Sequence, residues 1–226
     1  NGTIPPLFSD GARWIVHGAV ASPTRRSGRR SEERAFFTQL SIGPQWHGSS
    51  RQQTRIRGVR YFYDTEFIED GSTIELVSIG IVGEDGSEYY AVSTDFDPGK
   101  ANAWVRDNVL DKLPSPADPV WKSRETIRED LLKFLGRHST PIELWAWVGA
   151  YDHVVLAQLW GDMASLPKGM PRYTRELKQY WEFAGRPKLP PVPNGNHDAL
   201  VDARHNLAKF RICEQHLPLT RGNRVS

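Results

Sequence analysis

Apolar residues follow regular patterns from residue 59 onward, whereas residues 1–58 show no sustained strand or helix period. Three runs rich in β-branched and aromatic residues come first, and short polar turns separate them. The turn Asp85-Gly86 is typical of a β-hairpin. The pattern therefore predicts three successive antiparallel strands, at residues 59–67, 74–82 and 88–94.

Helical spacing dominates the second part of the chain. Ile127, Leu131 and Leu135 recur at helical intervals after Ser123, a typical N-cap residue. A short apolar run at residues 142–148 instead predicts a buried strand. Helices are predicted at residues 98–110, 123–136, 150–160, 174–184 and 198–215. This order is typical of an α/β fold, with an antiparallel meander first, a mixed sheet, and helices on both faces.

Composition excludes several classes of protein. The 226 residues are 38% apolar and 25% charged, which fits one soluble globular domain. The longest apolar runs, such as residues 144–148, fall far short of the roughly 20 residues that span a bilayer. The one cysteine, Cys213, excludes an internal disulfide and a CxxC zinc site. We therefore expect a cytoplasmic protein without a membrane partner.

Charge is unevenly distributed along the chain. Residues 1–58 contain nine Arg, no Lys and three acids, a net charge of +6, while the whole chain carries only +2. We expect residues 1–58 to be a basic, disordered N-terminal extension, although an Arg- and Ser-rich segment also fits a transit peptide. Residues 59–216 would form the folded domain, and residues 217–226 a flexible tail.

Acidic residues interrupt two apolar elements. Asp64 and Glu66 lie in the first predicted strand, where alternation places them on one face about 7 Å apart. Asp152 directly follows the strand at residues 142–148, close to a helix start. Each feature alone also fits a structural role, as a water-facing edge strand or as an acid in the first turn of a helix.

His197 and Asp202 form a third group. Five residues of helix would leave their side chains about 140° apart. If the two residues share a site, His197 must therefore lie in the loop before the last helix or in its first turn. A capping histidine and a solvated aspartate are the structural alternative.

Taken together, these residues predict a metal site. Four carboxylates a few ångströms apart repel one another by roughly 1–4 kcal/mol per pair. Divalent cations relieve that repulsion, and oxygen ligands favour Mg²⁺ or Mn²⁺ over zinc. Two such ions can stabilise the attacking and leaving oxygens of a phosphodiester, and a neutral histidine can accept a proton from water.

Asp64-x-Glu66, then Asp152, then His197-x-Ala199-x-x-Asp202 resembles the motif of the DEDDh 3′→5′ exonucleases. Residues 61–71, 143–152 and 197–206 are further similar to the small bacterial proteins named polyadenylate-specific 3′-exoribonuclease AS. The resemblance covers residues 59–215. It implies a ribonuclease H-like fold with a five-stranded mixed sheet.

The resemblance also implies site roles. Asp64, Glu66, Asp152 and Asp202 would hold two Mg²⁺ ions, with Mn²⁺ as an alternative, and His197 would be the general base. Glu66 would also contact the terminal 3′ hydroxyl. The substrate would be the 3′ end of a single-stranded or overhanging RNA, hydrolysed to nucleoside 5′-monophosphates. The superfamily further suggests a homodimer.

Other residues are candidates for substrate contacts. Phe67, Trp147 and Tyr151 lie beside the motifs and could stack on nucleobases, although aromatic residues in strands more often belong to the core. Arg204 could neutralise a phosphate, or could be an ordinary exposed helical arginine. The residues alone leave open a 3′→5′ DNA exonuclease and a catalytically silent nucleic-acid-binding module on the same fold.

Overall fold

A meander of three antiparallel strands forms the centre of the structure, a computed structural model that describes residues 58–219. β1 (Val59–Glu69) pairs with β2 (Ile74–Gly83), and β2 pairs with β3 (Glu88–Ser93). The three predicted strands are therefore confirmed. The predicted extension lies outside the described residues except for Gly58, and the predicted tail does so except for residues 217–219.

Three further strands join the meander in parallel. β5 (Ile142–Ala146) pairs with β1, β4 (Trp121–Lys122) with β3, and β6 (Arg175–Glu176) with β5. The order across the sheet is β4-β3-β2-β1-β5-β6. The expected number of five strands was thus one too few in the described part of the chain. Two-residue strands such as β4 are too short to show a period in the sequence.

In the part of the chain that the structure describes, five α-helices cover the sheet: α1 (Ala103–Asn108), α2 (Arg124–Gly136), α3 (Ala150–Gln158), α4 (Leu177–Phe183) and α5 (Ala199–His216). Within residues 58–219, none of the helices has the length and apolarity needed to cross a membrane.

Two predicted helices are shorter than expected. The helix predicted at residues 98–110 is divided into a 3-10 turn, α1 and a second 3-10 turn, because Ala101 is extended and Asn102 caps α1. The helix predicted at residues 174–184 begins only at Leu177. Its first residues instead form β6, where the Glu176 carboxylate accepts bonds from the backbone N–H groups of Val148 and Gly149.

The two faces of β1 enter different cores. Tyr61 and Tyr63 pack with buried residues of α2 and α3, whereas Phe62 packs with those of α4 and α5. Alternation along the strand therefore points Asp64 and Glu66 toward the α5 side. A bulge follows at once, since Glu66 pairs with Ser78 and Phe67 pairs with Leu76. Val77 is left over, and it is fully buried in a small third core under α1.

Gly80 sets how closely α5 approaches the sheet. It pairs with Asp64 on the neighbouring strand. A Cβ atom at this position would lie 2.3 Å from backbone atoms of Ala199 and Leu200, at the start of α5. Only glycine allows this approach without a shift of the backbone. Gly80 therefore helps to place the first turn of α5 against the acidic part of β1.

Gly80→Ala should destabilise the protein by about 1–3 kcal/mol, because the methyl group forces α5 away from β2. Urea denaturation measures the change in the free energy of unfolding. Gly136→Ala is the matched control, since no atom lies within 4 Å of a Cβ built there at the end of α2. Equal losses of stability in the two variants would contradict the close-packing argument.

Candidate active site

The centre of the site is the pair of acids on β1. Asp64 is half-buried and Glu66 is only 8% exposed. Both lie near the point where β1 leaves β5, because the pairing of these strands ends at Phe62. The middle of the central strand thus presents two carboxylates toward the start of α5.

Asp152 reaches the same region from α3. Its Oδ1 accepts hydrogen bonds from the backbone N–H of Thr65 at 2.8 Å and from the Thr65 hydroxyl at 2.7 Å. The pairing of β1 with β5 ends at Phe62, so β5 offers no acceptor to the Thr65 N–H. The Asp152 carboxylate accepts this bond instead. Asp152 is 5% exposed, so the two bonds fix a buried carboxylate beside Asp64 and Glu66.

His197 and Asp202 come from the start of α5. His197 lies in the loop before Asp198, the N-cap of α5, as the helical geometry of the sequence required. The loop turns back on the helix, and the His197 N–H donates to Asp202 Oδ2 at 2.7 Å. One ligand atom each from Glu66, His197 and Asp202 lies within 4.8 Å of the others. The charges of Asp152, Glu66 and Asp202 also act on Asp64, so the structure brings the four acids and His197 to one place.

Burial and neighbouring negative charges raise the pKa values of Asp64, Glu66 and Asp152. Burial, followed by the charges of Asp152, Glu66 and Asp202, raises the pKa of Asp64 well above its usual range. Burial, followed by the charges of Asp202, Asp152 and Asp198, raises the pKa of Glu66 to about 8. Burial also raises the pKa of Asp152, although its bonds from Thr65 act in the opposite direction. The folded protein thus holds these three carboxylates where their charged forms are disfavoured.

A polar stripe on α5 supports the acids and was missed in the sequence. Asp202, Asn206 and Lys209 occur at helical intervals of four and three residues, which places them on one face. Asn206 donates from Nδ2 to the backbone oxygen of Tyr63 at 3.2 Å, and Lys209 donates to Asn206 Oδ1 at 3.1 Å. The Lys209 charge lowers the pKa of Asp64, against the effect of burial. The helical spacing of these three polar residues could have revealed the stripe from the sequence.

The predicted substrate contacts occupy different surroundings. The rings of Phe67 and Tyr151 stack at 5.6 Å, and Tyr151 is 53% exposed. Trp147 is half-buried, with the Lys209 ammonium 4.5 Å from its ring centroid. Arg204 instead makes a two-bonded ion pair with Glu88 of β3. Substrate binding by these residues stays a prediction.

Comparison with known proteins agrees with this arrangement. The Rv2179c-like 3′-5′ exoribonuclease domain matches residues 59–213 of the chain. The chain belongs to this family.

Two relatives of the Rv2179c-like family from Mycobacterium tuberculosis share much of the sequence. They are named 3′-5′ exoribonuclease Rv2179c, of strain H37Rv, and 3′-5′ exoribonuclease MT2234.1, of strain CDC 1551. Each is 64% identical over 155 residues, or 68% of this chain and 92% of the relative. Residues 59–213, which match the family, include all five predicted catalytic residues.

A solved structure is similar in fold to this Rv2179c-like chain. It is the zinc-bound form of an E. coli ExoI–ssDNA complex, with a TM-score of 0.50 and 12% identity. The match covers 72% of this chain and 42% of that chain. At this identity the similarity concerns the fold alone, and it confirms the predicted ribonuclease H-like fold.

The raised pKa of Glu66 makes the stability of this Rv2179c-like domain depend on pH when a chelator is present. Folded Glu66 keeps its proton up to about pH 8, whereas the unfolded chain releases it near 4.5. Between these values the unfolded state binds fewer protons, so the free energy of unfolding falls as pH rises. Below this window the effect is absent, because both states are protonated.

Urea midpoints measured in EDTA from pH 5 to pH 8 test this prediction. Glu66→Gln should show a shallower decline, because glutamine fills the same space without a proton to lose. Asp162→Asn serves as a control, because Asp162 is exposed. Its urea midpoint should fall with pH as steeply as that of the unmodified protein. A slope unchanged by Glu66→Gln would show that Glu66 ionises normally.

Proposed function

We propose that this protein is a Mg²⁺-dependent 3′→5′ exoribonuclease that hydrolyses phosphodiesters by a two-metal mechanism and releases nucleoside 5′-monophosphates. The observation that carries the proposal is the convergence of Asp64, Glu66, Asp152, Asp202 and His197 from separate segments of the chain. Mn²⁺ is the alternative ion, since carboxylate oxygens suit both metals.

The donor set supports two divalent cations. Four carboxylates offer hard oxygen ligands, and burial, followed by the charges of nearby acids, raises the pKa values of Asp64 and Glu66. Asp64, Glu66, Asp152 and Asp202 would hold the ions. Bound there, the cations would stabilise the charge that develops on the attacking and leaving oxygens of a phosphodiester.

His197 is suited to the role of general base. Its N–H donates to Asp202, so the backbone at this position is fixed while the imidazole remains half-buried beside Glu66. An imidazole in that place would accept the proton of the attacking water, a role typically worth about 10²–10⁴ in rate. Thr65 would keep Asp152 in place through its two hydrogen bonds.

Aromatic side chains would bind the 3′ end of the substrate. The stacked rings of Phe67 and Tyr151 belong to β1 and α3, where they are the sequence neighbours of Glu66 and Asp152. We propose that a terminal base stacks on these rings while Glu66 contacts the 3′ hydroxyl. Trp147 would have a lesser part, because Lys209 covers its ring, and the Glu88 pair leaves Arg204 less able to bind phosphate.

RNA is proposed as the substrate on the strength of the relatives, both of which are named 3′-5′ exoribonuclease. A complete set of acids and a histidine argues against a catalytically silent binding module. A cytoplasmic location and a homodimer remain further parts of the proposal, without a bearing on the chemistry.

The test is degradation of a 5′-labelled RNA with a single-stranded 3′ end by the full chain, with Mg²⁺ and with EDTA. We expect shortening from the 3′ end only with metal, and slower or absent shortening of the matching DNA. Asp202→Asn should abolish hydrolysis, and His197→Ala should reduce the rate about 10²–10⁴-fold. Equal degradation of RNA and DNA would favour the DNA exonuclease alternative.

Asp162→Asn is the matched control for these substitutions, because Asp162 is exposed and its carboxylate accepts a hydrogen bond from the backbone N–H of nearby Ser165. It should retain full activity. Hydrolysis by Asp202→Asn at the rate of this control would refute the proposed metal site.

Removal of residues 1–58 should leave the rate of RNA hydrolysis within about twofold of that of the full chain, because the family match and all five catalytic residues begin at residue 59 or later. The comparison uses both proteins at equal concentration and the same RNA. Loss of activity with a folded domain would assign residues 1–58 a part in catalysis or substrate binding.

A further inference from the structure

Trp104 is a large apolar side chain that the core does not use. It lies on α1, whose neighbouring Val105 is buried with Val109 in the third core. Trp104 itself is 54% exposed. An exposed tryptophan beside a buried valine needs an explanation other than the packing of α1 on the sheet.

The indole of Trp104 contacts the imidazole of His197. The ring centroids lie 4.8 Å apart and the planes are nearly perpendicular, at 80°. Edge-to-face contacts of this kind favour a defined ring orientation. Within residues 58–219, His197 is the one ring that the structure places against Trp104.

The segment that carries His197 needs such support. His197 has a φ of 66°, a left-handed conformation that is unfavourable for residues with a side chain. Three contacts hold it. Asp202 accepts from the His197 N–H at 2.7 Å, the Lys112 ammonium donates to the Asn196 backbone oxygen at 3.0 Å, and Trp104 contacts the ring. Two of the three come from residues 102–112.

Residues 102–112 are themselves anchored to the strands of the site. Val105 and Val109 pack on Ile68 of β1 and on Val77, the bulged residue of β2. The Asn102 side chain caps α1 by accepting from the Val105 N–H at 2.9 Å. The helix that carries Trp104 is therefore packed against β1, the strand that carries Asp64 and Glu66.

We propose that Trp104 is a positioning residue that orients the imidazole of His197, and that Lys112 holds the backbone of the same loop. The inference rests on the proposed role of His197 as general base. Trp104 fixes the ring from the side, while Asp202 fixes only the backbone nitrogen. Together they leave the imidazole one orientation toward the acids.

Activity measurements give the first test. Trp104→Ala should lower the single-turnover rate at saturating RNA by about 10–100-fold, since small misplacements of a catalytic group have effects of this size. Trp104→Phe should recover most of the rate, because its ring preserves the contact. Phe183→Ala, a matched removal of an aromatic side chain that is 71% exposed on α4, should have no effect.

Lys112→Met should also lower the rate, by less than Trp104→Ala. The two effects should not multiply in the double variant, because both act through the same loop. Affinity for RNA, measured by anisotropy in EDTA, should be unchanged in Trp104→Ala. A loss of affinity equal to the loss of rate would overturn the proposal and make Trp104 a nucleobase contact.

The NMR signals of the His197 ring give a second readout that needs neither metal nor RNA. The nearby indole shifts the ring protons, and Trp104→Ala should remove that shift while the thermal midpoint stays unchanged. An unaltered His197 spectrum would overturn the inference. His197→Ala with full activity would instead refute the proposed function. Loss of activity in His197→Ala but not in Trp104→Ala would refute only the positioning role.

Discussion

Repulsion between buried carboxylates is the constraint on which the structure depends. Burial raises the pKa values of Asp64, Glu66 and Asp152, and the charges of neighbouring acids raise them further. A flexible chain would separate such groups. Here each acid is attached to an element whose other side is firmly packed, so the fold supplies the free energy that keeps them together. This concentration of carboxylates is what suits the site to divalent cations.

The fold meets the constraint by giving the faces of β1 different tasks. Residues of one face, such as Tyr61, anchor α2 and α3, while the other face packs α5 through Phe62 and then presents the acids. Gly80 lets the start of α5 come close to this second face. Thr65 belongs to the first face, and its bonds to Asp152 of α3 fix that carboxylate beside the acids of the second face.

The sequence predicted the site better than its surroundings. The meander, the shared face of Asp64 and Glu66, and the place of His197 before α5 followed from strand and helix periods. The bond between Thr65 and Asp152 joins residues 87 positions apart, and no local pattern announces it. The break before α1 was equally hard to predict. An asparagine such as Asn102 can cap a new helix or lie within a continuing one, and the local sequence does not distinguish the two cases.

The two-residue strands β4 and β6 have a consequence for solubility. An open sheet edge can add a strand from another molecule and so begin aggregation. β4 covers the last residues of β3, and β6 covers those of β5. Both covering strands carry charge, at Lys122 and Arg175, and both are too short to act as a template themselves. The two strands that are hardest to detect in the sequence thus protect the sheet edges near the candidate active site.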